Sequence, residues 1–126
     1  MYVITNRQLH PQRQGLGMFG DDPSAGGAQN IRILKLTRSG RTWTARPVRD
    51  KLTAAMVRAI NKKHGFKLDT VDTTWGGSLK VACDLYDQAM ATGKSILFFV
   101  HGYNNDIGDV LRAAEAIQEH YGVIVV

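Results

Sequence analysis

From Ile96 to Val100 every side chain is apolar, in a run too short for a helix and with no polar residue alternating through it. Such a run predicts a strand, Ser95 to Val100, buried on both faces. That is the mark of a central parallel sheet covered by helices on either side. A polar turn, His101-Gly102-Tyr103-Asn104-Asn105, follows it. Next comes a helical pattern with Ile107, Val110, Leu111, Ala114, Ile117 and Tyr121 on one face, stopped by Gly122. Val123 to Val126 then opens a second apolar strand. Strand, helix and strand make a βαβ unit whose crossover is expected to be right-handed.

Upstream, Tyr2 to Thr5 suits a first strand, ended by the polar stretch Asn6 to Gln14. The glycine-rich segment from Gly15 to Gly27 satisfies G-x-G-x-x-G over Gly15 to Gly20. A dinucleotide-binding turn, however, needs a strand directly before it and a helix directly after. Here a polar stretch precedes and Asp21-Asp22-Pro23 follows, so the segment reads as a surface turn. Ile31 to Leu36 and Trp43 to Arg46, joined by the turn-prone Arg38-Ser39-Gly40-Arg41, predict an antiparallel hairpin. Asp50 reads as the N-cap of a helix carrying Leu52, Met56, Ala59 and Ile60, with Lys62, Lys63 and His64 in its last turn and Gly65 as its stop. A further helix follows Gly76-Gly77-Ser78. Its expected apolar face is Leu79, Ala82, Cys83, Tyr86, Ala89 and Met90, and it ends at Gly93 and packs on a sheet.

The 126 residues suit one domain, and the net charge of +5 is unevenly spread. Residues 1–67 carry 13 Lys/Arg against 3 Asp/Glu, giving +10, whereas residues 68–126 carry 3 against 8, giving −5. A basic half can be a footprint for nucleic acid, or it can face its own acidic half. The single spacing of the cations and the lack of interleaved aromatics favour the latter and make a nucleic-acid partner unexpected. No apolar stretch approaches the roughly 20 residues of a membrane span, and no signal-peptide pattern opens the chain, so a cytoplasmic location is expected. The lone Cys83 reads as a small buried hydrophobe. No His, Cys or carboxylate spacing matches a metal site, and no cofactor is expected.

The strand ending in His101-Gly102 has its turn at the carboxyl edge of a parallel sheet, where this fold class places ligands. Backbone amides freed by the turn, with the positive end of the following helix, favour an oxyanion. Gly102 lets the backbone approach a ligand closely. Leu97-Phe98-Phe99-Val100-His101-Gly102-Tyr103-Asn104 resembles the third strand and oxyanion loop of α/β-hydrolases. Together with Thr5-Asn6-Arg7 and Phe19-Gly20-Asp21, it resembles a bacterial branch of uncharacterised α/β-hydrolase-like proteins. The fold implied is α/β: an incomplete hydrolase-like sheet in which an N-terminal hairpin joins parallel strands flanked by helices. By that resemblance the Tyr103 amide is an oxyanion donor, and His101 and Asn104 hold the loop's shape. The strand at Val123 to Val126 then lies between the hairpin and Ile96 to Val100, which leaves the latter as a sheet edge able to join copies of the chain as a homo-oligomer.

The G-x-S-x-G nucleophile elbow and the acid and base that follow it in such proteins do not occur here. None of Ser24, Ser39, Ser78 and Ser95 sits in that context. His10 lies in a polar loop, and His64 and His120 suit helix C-termini. The expected function is therefore the N-terminal part of a serine hydrolase of esterase or lipase type, acting on a small-molecule ester and inactive alone. The chain's end on an apolar strand favours this over a complete non-catalytic binding or assembly module and over a nucleic-acid binder.

Overall fold

The computed structural model describes residues 1–72, 74–101 and 106–126. Strand β1 (Tyr2–Thr5) pairs antiparallel with β4 (Arg32–Ser39), which pairs antiparallel with β5 (Thr42–Pro47), in sheet order β1-β4-β5. The expected hairpin forms around Gly40, whose φ of 58° is the left-handed value that a tight two-residue loop requires. Alternation along the strands gives this sheet two apolar faces. On one face Leu34, Leu36 and Ala45 pack with Met18, Phe19 and Leu111. On the other, Tyr2 and Ile33 pack with Val81, Leu85 and Ile124.

The stretch expected as a loop and a surface turn contains a second, two-stranded sheet. Here β2 (Arg7–Leu9) pairs antiparallel with β3 (Phe19–Pro23). Met18 and Phe19 are buried against β4, with Leu9 and Leu16 beside them. Apolar residues scattered singly through a glycine-rich segment have no readable period, and only contact with β4 orders them. The glycines serve close packing. A Cβ at Gly15 would stand 2.7 Å from the Trp43 carbonyl oxygen, and one at Gly20 would stand 2.9 Å from that of Gln8.

Helix α1 spans Ala54–His64 and is capped by Thr53, whose Oγ1 accepts the Met56 amide at 3.3 Å; Asp50 is not the cap. Asp50 to Leu52 is drawn instead into an antiparallel bridge. The Leu52 amide donates to the Trp75 carbonyl at 2.9 Å, and the Gly77 amide to that of Asp50 at 3.0 Å. Extended pairing there delays the helix by one turn. Gly65, in the left-handed conformation, stops it as expected.

Helix α2 (Gly77–Thr92) ends at Gly93, also as expected, but its buried stripe is rotated from the expected one. Val81 and Leu85 face the sheet, while Cys83 joins Leu52, Val57 and Ile60 against α1. Ala82, Tyr86 and Met90 are exposed. A helix held between a sheet and a second helix buries two stripes, and a single-face reading averages them.

The βαβ unit is present. Strand β6 (Ile96–Leu97) runs parallel to β7 (Ile124–Val125), and α3 (Ile107–Tyr121) connects them. Further bonds extend the pairing: the Ile124 amide donates to the Ser95 carbonyl at 2.8 Å and the Phe99 amide to that of Val126 at 2.9 Å. Buried Val110, Leu111 and Ala114 form the inner face of α3, while the Tyr121 expected there is exposed. The strand expected to be buried on both faces is not. Its regular part is two residues long, Phe98 is 65% exposed and Val100 is 90% exposed, whereas β7 is buried. An apolar run encodes a need for cover on both sides, and β6 has a hydrogen-bonded neighbour only at β7 among the described residues.

Among the described residues the fold is thus mixed α/β, with two antiparallel sheets, three α-helices and a parallel pair two residues long. The basic and acidic halves meet in ion pairs. Arg38 binds Glu115 and Lys63 binds Asp87, each at 2.6 Å.

A Cβ at Gly77 would stand 1.9 Å from the Arg49 carbonyl oxygen. Gly77→Ala is therefore expected to lose on the order of 3 kcal/mol, the upper range for overpacking a rigid site. Gly93→Ala, left-handed but facing open space, is expected to lose about 1 kcal/mol. Urea denaturation of both checks this, and equal losses would refute the packing role of Gly77.

Candidate functional site

The residues singled out by sequence stand between β6 and α3. His101 is described and half-buried; Gly102, Tyr103 and Asn104, with Asn105, lie outside the described residues. What borders them is defined. On one side the parallel pair ends at Leu97, with a last bond to the neighbouring strand at Phe99, so the chain towards the loop leaves the carboxyl end of β6. On the other, Asp106 caps α3, its Oδ1 accepting the Gly108 amide at 2.6 Å. Asp109 stands in the first turn and is paired with Arg112. These carboxylates already answer the positive end of the helix dipole. An anion at this edge would therefore gain little from α3.

Beside His101 lies an apolar cavity of about 320 Å³, bounded by β1, the Phe98 to Val100 segment, α3 and β7. A larger, open groove of about 550 Å³ lies between β4, α2 and α3. Its floor holds a polar cluster that sequence reasoning missed. The Tyr2 hydroxyl donates to Asp84 Oδ2 at 2.7 Å, Lys80 Nζ donates to Asp84 Oδ1 at 2.5 Å, and Lys35 Nζ lies 5.8 Å from the Tyr2 ring centre. The Lys80–Asp84 spacing of four was visible on the helix; Tyr2 reached it only through folding.

Burial, reinforced by the hydrogen bond to Asp84 and by that residue's charge, pushes the Tyr2 phenol well above its ordinary range. For Asp84, burial acts to raise the carboxyl, but hydrogen bonds from Lys80 and Tyr2, together with the charges of Lys80 and Lys35, outweigh it and hold it below the usual range. A phenol shifted this way is neither base nor nucleophile near neutrality. The cluster ties β1 to α2.

The remaining candidates are accounted for structurally. The Ser24 hydroxyl accepts from Asn30 and from the Gly26 amide, and among the described residues no serine hydroxyl bonds to a histidine. His64 is stacked on Phe66 with ring centres 5.5 Å apart, and its Nε2 lies 3.7 Å from Asp87 Oδ2. His120 packs edge-on against Tyr121. Cys83 is buried, and burial followed by the charges of Asp87 and Asp84 pushes its thiol up, away from the reactive thiolate. Among the described residues no three His, Cys, Asp or Glu side chains gather as metal ligands, and no helix is long and apolar enough to cross a membrane. No protein-family profile, curated protein or solved structure matches the chain.

The depressed carboxyl of Asp84 links stability to pH. A group whose folded-state pKa lies below its unfolded value contributes stability above the unfolded value, and that contribution is lost as pH falls through the folded one. Asp84→Asn is expected to lower stability at neutral pH by about 1–3 kcal/mol, the range for leaving a partly buried partner unsatisfied. It should also flatten the acid limb of the stability profile below the ordinary carboxylate range. Denaturation across pH checks both, and an unchanged acid limb would exclude Asp84 as a contributor.

Proposed function

We propose that this chain is the N-terminal part of an α/β-hydrolase-like serine hydrolase of esterase or lipase type, acting on a small-molecule ester, and that it contributes the oxyanion loop. One observation carries the reading. The β6–α3–β7 unit is parallel, so the loop bearing Gly102 and Tyr103 leaves the carboxyl end of a strand and enters a capped helix. In this reading the Tyr103 amide donates to the oxyanion of the tetrahedral intermediate, Gly102 admits the substrate close to the backbone, and His101 and Asn104 shape the loop. The nucleophile, acid and base come from outside these 126 residues, because no G-x-S-x-G occurs in them.

Oxyanion stabilisation without a nucleophile accelerates nothing, so the 126-residue chain should not turn over a chromogenic short-chain ester above the buffer rate. Turnover that survives repurification and is abolished by a serine-directed phosphonate would overturn this. In the nucleophile-bearing hydrolase, Tyr103→Phe should be mild. Tyr103→Pro removes the donor and should lower kcat by on the order of 10²- to 10³-fold. Equal effects in proteins of matched stability would refute the amide's role.

The exposed edge favours a second reading, an assembly module. Ser95, Leu97 and Phe99 bond β7 through their backbone groups. By the alternation of a strand, Ile96, Phe98 and Val100 direct theirs to the opposite side, with exposed apolar side chains around them. In this reading a second copy adds to that edge and the chain is a homo-oligomer. Light scattering coupled to size exclusion should then give a mass above 13.9 kDa for the wild type and a monomer for Phe98→Lys. A folded Phe98→Lys with unchanged mass would exclude the edge.

A further inference from the structure

Residues 32–51, which form β4, β5 and the segment leaving them, carry 7 Lys/Arg against 1 Asp/Glu, giving +6, more than the +5 of the whole chain. Two of these cations have carboxylate partners: Arg32 lies 3.7 Å from Asp50, and Arg38 binds Glu115. Lys35, Arg41, Arg46, Arg49 and Lys51 are exposed and form no ion pair among the described residues. Singly spaced in the chain, two of them meet through strand pairing. Lys35 stands directly opposite Arg46, Thr37 opposite Thr44, and Ser39 opposite Thr42.

By strand alternation these six residues share the face turned away from Leu34, Leu36 and Ala45, and all six are exposed. Helix α2 packs on the same face only at its Tyr2 and Ile33 end. Like charges directly opposite each other destabilise a sheet. Lys35 Nζ lies 5.8 Å from the Tyr2 ring centre and acts on Asp84 through its field, while Arg46 has no carboxylate partner among the described residues. The four hydroxyls make no hydrogen bond among those residues either. The face thus offers two cations and four donors with no anion to receive them.

Lys, Arg, Ser and Thr side chains are the groups that hold phosphate oxygens along a nucleic-acid backbone. A lipid surface needs an apolar side chain to insert, and a protein partner an aromatic or aliphatic anchor. No large apolar residue from 32 to 51 is exposed. A single strand needs rings on which its bases stack. Trp43, the one aromatic residue of the hairpin, lies on the opposite face, packs against the core and has the Arg38 guanidinium 5.7 Å from its ring centre.

We infer that the open face of the β4–β5 hairpin binds the phosphate backbone of a nucleic-acid duplex, independently of base sequence. This goes beyond the hydrolase reading and does not depend on it. The probe is a fluorescein-labelled DNA duplex of about 20 base pairs, titrated with the 126-residue chain and followed by anisotropy from about 50 to 200 mM salt. With Lys35, Arg41 and Arg46 each on a phosphate, affinity should fall by about 40-fold over that range. Arg46→Glu turns the like-charged pair into an opposite one, so its melting temperature should be unchanged or raised. Its binding should nevertheless weaken about tenfold, with a salt slope lower by about 1. Lys62→Glu, on α1, changes the net charge equally and should weaken binding by about twofold at most. Absent or salt-insensitive binding of the wild type, or full binding by Arg46→Glu, would overturn the inference. Equal losses in the two variants would overturn it in favour of net charge alone. Tighter binding to phosphatidylserine vesicles, sensitive to Arg46→Glu, would overturn it in favour of a lipid surface.

Discussion

Burial of the Leu34–Leu36 face of β4, with half-buried Ile33 on the other, is the constraint on which the other elements depend. Leu34 and Leu36 are essentially inaccessible, and neighbouring Ile33 faces the opposite layer. A strand with apolar residues on alternate faces is stable only when something covers each. The β2–β3 pair and α3 cover one side, and α2 with β7 covers the other. The position of α3 then sets where the loop after β6 must re-enter the fold. The candidate site is thus placed by packing far from it in sequence.

Electrostatics reinforces this arrangement. Two of the ion pairs join cations of the first half to carboxylates of the second, Arg38 to Glu115 across the sheet and Lys63 to Asp87 between helices. Exposed pairs of this kind are individually weak. The partly buried Tyr2–Asp84–Lys80 cluster is more consequential, because breaking it leaves polar atoms with neither partner nor full hydration. It fastens the first strand to the helix on one face of the sheet, while Leu36 receives the N-terminal ammonium of Met1 at 3.2 Å through its carbonyl.

Much of the architecture was legible where a local rule suffices. The hairpin followed from Gly40, the three helix ends from Gly65, Gly93 and Gly122, and the βαβ order from two apolar runs around an amphipathic helix. The β2–β3 pair was not legible, because Leu9, Leu16, Met18 and Phe19 have no common period and are ordered only against β4. The start of α1 was misread for a similar reason: Asp50 has the chemistry of a cap, but its carbonyl is claimed by Gly77. Around the candidate site, the strand and the helix that follows it were readable as a succession. The apolar cavity was not, since its walls come from β1, α3 and β7.

By itself, the sequence determined most of the local elements and the absence of a G-x-S-x-G motif from these 126 residues. Those properties depend on residues within a few positions of one another, where backbone preference and side-chain chemistry act directly. Tertiary structure alone decided which apolar faces meet, that β6 is exposed while β7 is buried, and that Tyr2 joins Asp84 across 82 positions. Burial and long-range hydrogen bonding are properties of neighbours, and the pattern along a strand states its need for cover without naming what supplies it.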